Sequence, residues 1–245
     1  MHDSNLIRAV CVGEVPAGRD QGIGTTVARD HNMTGHLLQT WDSGQVPRAS
    51  ARDQLIASAV DVFHRRGFNG CSVQDIVEAA GVPKGSFYNH FASKEALGIE
   101  VVHAYSRLVG AYVAEAGASD IFSGDGTPLE RIRRYFEAVI EQNVSCGVRK
   151  GCLLGNFATE LAPHSTEIAN AVTEALDNWS AAVSGALVQA QEAGQLAKDA
   201  DVTALGRYLV DGYEGAATRA KLVGDRTPMD EFIRTTFDFL LAQSE

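Results

Sequence analysis

What this 245-residue chain lacks narrows its function before any motif is read. No apolar run approaches the roughly 20 residues needed to cross a bilayer, so a membrane role has no support. The four cysteines, Cys11, Cys71, Cys146 and Cys152, have none of the paired short spacings of a zinc site and follow no secretion signal. A cytoplasmic protein without a metal centre is the expectation. Gly22-Ile23-Gly24 is too short for a phosphate loop, and neither a nucleophile–base signature nor a cofactor fingerprint occurs elsewhere. Hence no cofactor and no enzymatic activity are expected, with Cys152 as nucleophile and His103 or His164 as base the weaker alternative. Basic residues are also scarce, with 21 Lys and Arg against 31 Asp and Glu.

That acidity is unevenly spread. Residues 48–97 carry six Lys/Arg and five Asp/Glu, whereas residues 98–245 carry twelve against twenty-one. An acidic body repels nucleic acid, so only the small, nearly neutral segment could approach it. Residues 1–47 show no helical or strand period and read as a disordered extension, with Met33 a possible internal start of the functional protein.

The chain is organised around Ser72–Leu97. Val73, Ile76, Val77 and Ala80 recur at the spacing of one buried helical face, and Ser72 with Asp75 forms a capping box. Gly81 ends that helix, and Pro83 opens a second short helix running to His90. Phe87 and Phe91 lie one turn apart and can anchor it inward, leaving Lys84, Ser86, Tyr88, Asn89 and His90 for the other faces. Gly85 and Ser86 are small enough for close approach to a groove. Lysine, tyrosine and histidine suit phosphate oxygens, and asparagine suits an adenine edge. Lys94 in the first turn of the next helix opposes the helix dipole, an arrangement that makes sense beside a phosphate.

The runs Ile76–Val82, Gly85–Phe91 and Lys94–Leu97 resemble the DNA-binding signature of the TetR family of transcriptional regulators. The resemblance implies an all-α chain with a three-helix head at 48–97 containing a helix-turn-helix, followed by a helical effector-binding and dimerisation domain at 98–245. It makes Pro83–His90 the recognition helix. Arg52, Ser72, Lys84, Gly85, Ser86, Tyr88, Asn89, His90 and Lys94 become the expected DNA-binding residues, with Asn89 at a variable position.

Helices are expected at 51–66, from Ser93 to Ala116, from Thr127-Pro128-Leu129-Glu130 onward, at 166–193, at 202–223 and from Thr227-Pro228 to the end. Arg131 is expected on an outer face, and Phe232, Ile233, Phe237, Leu240 and Leu241 on the inner face of the last helix. By the same resemblance, Tyr105, Tyr112, Phe136, Cys152, Phe157 and Trp179 are effector-pocket candidates. Leu209, Gly212, Ala216, Phe232 and Phe237 are candidates for a two-fold dimer interface. The Gly151-Cys152-Leu153-Leu154-Gly155-Asn156 element is similar to one in a subgroup with a cysteine-containing sensor. Cys152 therefore has two open readings, a buried structural thiol or a reactive one favoured by Arg149, Lys150 and a helix N-terminus. The function implied is a ligand- or thiol-responsive repressor that binds a pseudo-palindromic double-stranded operator as a homodimer. An activator, or a DNA binder without an effector, is the alternative.

Overall fold

The computed structural model describes residues 50–115 and 121–241, and within them all regular structure is helical. The expected extension at 1–47 and the Met33 start lie outside the described residues. Helix α1 spans Ala51–Arg66, α2 Val73–Ala80, α3 Lys84–His90 and α4 Lys94–Glu115. Helix α5 spans Pro128–Cys146, a 3-10 turn Val148–Lys150, α6 Leu153–Leu161, α7 Thr166–Glu192, α8 Val202–Val223 and α9 Thr227–Ile233. The expected all-α architecture is observed.

Short polar side chains start these helices by occupying N–H groups that no helical carbonyl can reach. Ser72 and Thr127 each form a complete capping box, with Asp75 and Glu130 reaching back to the cap amide. The bonds from Ser72 hold the Asp75 carboxyl down at about 2. Pro83 stands one position earlier than expected, as the N-cap of α3 with extended backbone. The missing proline N–H costs nothing there.

In the body, α7 and α8 pack along most of their length and α9 lies against α8. Gly212 permits this approach, because a Cβ there would stand 2.9 Å from Phe232 Cε2. The strip of small residues therefore serves packing within the chain. Leu209 and Phe237 are buried, and Ala216 and Phe232 pack half-buried against the same core. Of the five dimer candidates, Leu209 and Phe237 are thus buried within the protomer, while Gly212, Ala216 and Phe232 keep part of their surface.

Beyond α9 the chain becomes π-helical at Arg234–Leu240, with Leu241 N donating to Thr236 O at 2.9 Å. The added residue per turn rotates the end of this segment relative to α9. Leu241 is buried, while Leu240, expected inside, is 54% exposed. Five of the large apolar groups left outside, Tyr208, Leu222, Val223, Phe239 and Leu240, lie on α8 and this segment. Arg131, expected to face solvent, instead donates to the carbonyls of Ile121, Gly124 and Gly126 and to Gln189 Oε1. It ties the turn before α5 to α7.

Helix α6 joins head to body. The Phe157 ring meets Phe63 at 5.6 Å and Phe68 at 5.9 Å, so an aromatic cluster bridges α1, the turn after it and α6. Glu160 near the end of α6 accepts Phe68 N at 2.9 Å and Asn69 N at 2.6 Å. At the other end, His64 Nε2–H donates to Gly151 O at 2.7 Å, and Lys150 pairs with Asp61 at 3.5 Å. Burial keeps His64 neutral, lowering its pKa to about 4 from 6.5, with Lys150 and Lys221 adding repulsion.

The sign of the pH dependence is set by proton counting. The unfolded chain takes a proton on this histidine near 6.5, whereas the native one refuses it until about 4. Stability is therefore full above the upper value and falls as pH drops between the two, by up to about 1.4 kcal/mol per pH unit. Buried Glu214, raised to about 7, contributes the opposite slope over most of this range, so the difference between two proteins is the readout. Urea unfolding at a series of pH values should show His64→Gln gaining stability relative to the natural protein as pH falls from 6.5 to about 4.

Candidate DNA-binding face and effector cavity

Helix α3 is anchored by Phe87, which is fully buried, and by Phe91, whose ring lies 5.7 Å away. With one face fixed, the others stand free. Lys84, Gly85, Tyr88, Asn89 and His90 are exposed and Ser86 is half-buried. Tyr88 rests its ring edge on Phe87 at 5.1 Å and is 58% exposed, so an amphipathic group reaches solvent from a rigid base. A Cβ at Gly85 would touch nothing within 4 Å, which leaves the backbone there open to a groove. Six of the nine DNA-binding candidates therefore share one short, protruding helix.

The other three are engaged within the chain. Arg52 pairs with Glu100 at 2.7 Å and sits over the Phe91 ring at 5.6 Å, joining α1 to α4. The Ser72 hydroxyl donates to Asp75 Oδ2 at 2.6 Å and accepts Asp75 N at 3.2 Å, so its proton is already committed to the capping box. Lys94 Nζ donates to Phe68 O at 2.9 Å and Cys71 O at 2.8 Å and stands 4.3 Å over the Phe68 ring. It neutralises two carbonyls in the turn between α1 and α2, which explains a cation at a helix start without any phosphate.

A cavity of about 450 Å³ lies in the body between α4, α5, α7 and α8, with the start of α6 at its floor. Of the six pocket candidates, Tyr105, Cys152 and Trp179 line it. Phe136 is fully buried behind the wall, stacking on Trp179 at 6.1 Å. Phe157 belongs to the aromatic cluster between head and body, and the side chain of Tyr112 is outside the described residues. Tyr135 and Tyr213 complete the aromatic wall; His103, Arg107, Gln142, Glu174 and Asn178 supply polar groups. Reading the sequence missed these. Tyr135 and Tyr213 sit within amphipathic stripes, and only their grouping in space separates a lining tyrosine from a core one.

Two lining features are chemically incomplete. Trp179 Nε1–H is buried and approaches the Tyr135 hydroxyl without reaching good hydrogen-bonding geometry, so a better-placed acceptor in the cavity can take it over. Behind Cys152, both carboxylate oxygens of Glu214 are likewise buried with no conventional partner. Burial pushes the Cys152 thiol well above its usual range, and the facing Glu214 carboxylate pushes it further. Burial also raises Glu214, to about 7. The basic pair thought to favour a thiolate is occupied elsewhere, Lys150 with Asp61 and Arg149 beside Gly224. At rest Cys152 is a thiol.

Residues 55–101 match the family described as bacterial regulatory proteins, tetR family, and residues 128–236 match the tetracyclin repressor-like C-terminal domain. The chain is 34% identical over 202 residues to the HTH-type transcriptional repressor DhaR of Mycobacterium sp. strain GP1, covering 81% of this chain and 96% of that protein. It is 33% identical over 190 residues to the transcriptional regulator AcuR of Cereibacter sphaeroides, covering 77% and 85% respectively. Among solved structures, regulatory protein TetR from Rhodobacter sphaeroides superposes with a TM-score of 0.70 at 31% identity, covering 77% of this chain and 97% of that one. Reduced E. coli NemR superposes at 0.65 with 26% identity, covering 77% and 96%. The chain belongs to the TetR family of bacterial regulatory proteins.

Lys94 and Lys84 should accordingly behave differently when truncated. Lys94→Ala removes charge-assisted bonds from a part-buried turn, costing about 1.5–3 kcal/mol and lowering Tm. Lys84→Ala should leave Tm unchanged and alter relative affinity among related duplexes. Thermal melts and binding titrations against a panel of sequences measure both.

Proposed function

We propose that this protein is a homodimeric repressor that holds a pseudo-palindromic operator and releases it when the body cavity is occupied or Cys152 is modified. Residues 48–97 form the DNA-reading head, 98–245 the effector-binding and dimerising body, and 1–47 an extension. The observation that carries this reading is the placement of one short segment. Cys152 lines the cavity, its neighbour Gly151 accepts from His64 in α1, and Glu160 on the same helix holds the amides of Phe68 and Asn69. A displacement at the cavity floor therefore moves groups that grip the head.

The exposed α3 face supports major-groove reading, and the acidic body limits DNA contact to the heads. Two heads reading a palindrome must sit about 34–36 Å apart, so any change in head orientation breaks the fit at both half-sites together. The effector needs only a higher affinity for the non-fitting arrangement. The exposed apolar groups of α8 and the π-helical segment, including Tyr208, Leu222 and Phe239, supply the surface for the second copy. That DhaR and NemR are named repressors favours repression over activation. Catalysis by Cys152 with a histidine base is the weaker reading, because His164 sits in the exposed turn after α6 and His103, although it lines the same cavity, does not act on the thiol, which Glu214 faces.

The test is binding to DNA upstream of the protein's own gene, titrated with salt and repeated after treatment with N-ethylmaleimide. Modification should weaken binding by about 5- to 150-fold, the usual range of such coupling. Glu160→Gln, which keeps the shape but removes the charge that accepts both amides, should bind DNA and shrink that factor several-fold. Equal loss in both proteins would remove Glu160 from the path, and no loss in the natural protein would overturn thiol responsiveness.

A further inference from the structure

The floor of the cavity holds an arrangement that a packing role leaves unexplained. Cys152 is a free thiol, 6% exposed, and lines the cavity. It is the N-cap residue of the nine-residue helix α6, without a side-chain capping hydrogen bond, and the backbone N–H groups of Leu154 and Gly155 lie near enough to favour its charged form. Facing the thiol is Glu214 of α8, which does not itself line the cavity. Its stem is half-buried, but both carboxylate oxygens are sealed from solvent and lack a conventional partner.

The chain makes room for this carboxylate. A Cβ on Gly155 would fall 2.5 Å from Glu214 Oε2, so only glycine in the first turn of α6 admits it. A buried carboxylate whose partner is only a weak S–H donor destabilises the fold, and hydrophobic residues of similar volume would ordinarily serve better. Its position behind the cavity-lining thiol gives it a use.

We infer that Glu214 is the proton acceptor for Cys152 when the thiol adds to a small α,β-unsaturated carbonyl compound held in the cavity, with Trp179 Nε1–H donating to the carbonyl oxygen. This rests on the thiol-responsive reading above and supplies its chemistry. The sulfur forms a bond to the β-carbon of the ligand while the S–H proton passes to Glu214. The C=C electron pair moves onto the α-carbon and carbonyl as an enolate, which the indole N–H stabilises. The α-carbon takes its proton from water in the cavity, and the hydroxide so formed is neutralised when Glu214 gives up its proton as the floor loosens around the adduct. The net change is addition of S–H across the double bond, with no oxidant, reductant or leaving group.

The arrangement stores the thiol unreacted. Glu214 is faced by Cys152 from α6 and Tyr105 from α4, with Asp211 and Tyr213 on its own helix; no lysine or arginine contributes to its shift. Burial and Asp211 raise the carboxyl to about 7, so near neutrality it is part ionised and able to take a proton. The base is therefore matched to the working pH even though the thiol by itself is not. After addition the thioether is neutral and Glu214 is again a carboxylate, and the bulky thioether stands at the start of α6, next to the Gly151 carbonyl that holds His64.

The experiment is the rate of N-ethylmaleimide addition to Cys152 as a function of pH, followed by intact mass on the full chain, with Cys152→Ser fixing the background from other thiols. The natural protein should show a rate that rises through about pH 7 and then levels. Glu214→Gln should react about 10²-fold more slowly at pH 7.5 and gain rate only in the alkaline range. Glu214→Asp, which keeps the acid but shortens its reach, should retain the inflection at a reduced rate, and circular dichroism establishes that each variant is folded. A profile unchanged in Glu214→Gln, or a natural protein whose rate climbs only above pH 9, would overturn the role of Glu214 and leave Cys152 as the target. Absence of any adduct on Cys152 would overturn the thiol-responsive reading itself.

Discussion

The amides of Phe68 and Asn69 lie in the turn between α1 and α2, and the acceptor for both is the carboxylate of Glu160, about 90 residues further along the chain. Phe68 is buried and its amide must find a partner within the protein, whereas Asn69 is exposed, so the pair is held together only while α6 is seated against the head. The positive φ of Gly67 points the turn toward that carboxylate, and a Cβ at this position would stand 2.9 Å from Glu160 Oε2. Phe157, Phe63 and Phe68 fill the space behind these bonds, and His64 closes the other end on Gly151. Directional bonds at both ends of a packed aromatic cluster give a junction with few intermediate positions. It is seated or it is not.

The same short segment closes the floor of the cavity, which lets a protein with an acidic body act on DNA through a nearly neutral head. Unsatisfied polar groups are concentrated here. Glu214, Trp179 and Asn143 each present an unsatisfied atom near the aromatic wall, while most of the remaining core is apolar. Such groups lower stability when alone and gain partners when a ligand or a thiol adduct arrives, so their cost in the empty state sets how strongly occupancy shifts the equilibrium. Lys94 shows the reverse case. Its ammonium is satisfied by two carbonyls of the same turn that Glu160 holds by its amides, so a cation and an anion grip one loop from opposite sides.

Much of this was legible from local chemistry. Capping boxes at Ser72 and Thr127, the glycine stop at Gly81 and the apolar stripe through Ile76 and Val77 depend on neighbours within a few residues, so the helices could be placed from the chain alone. The exposed face of α3 emerged once Phe87 and Phe91 were recognised as its anchors. Contacts between distant segments were not legible. Nothing near Glu160, Glu214 or Lys94 in the chain announces that their partners are Phe68, Cys152 and Cys71. The strip through Leu209 and Gly212 carries the same pattern whether the helix beside it belongs to this protomer or to another, and Phe232 decides the matter only in three dimensions. The π-helical turn after α9 also defeats a period of 3.6, which is why Leu240 turns outward while Leu241 stays inside.

If the seated junction is what keeps the heads in their DNA-reading arrangement, its bonds must weaken when the cavity floor is altered. Amide hydrogen exchange resolved to residues 68 and 69 reads this directly, comparing the protein before and after stoichiometric modification of Cys152 by N-ethylmaleimide. The account predicts that protection of the Phe68 and Asn69 amides falls sharply on modification while amides within α2 keep theirs. Release of DNA with both amides as protected as before would contradict it.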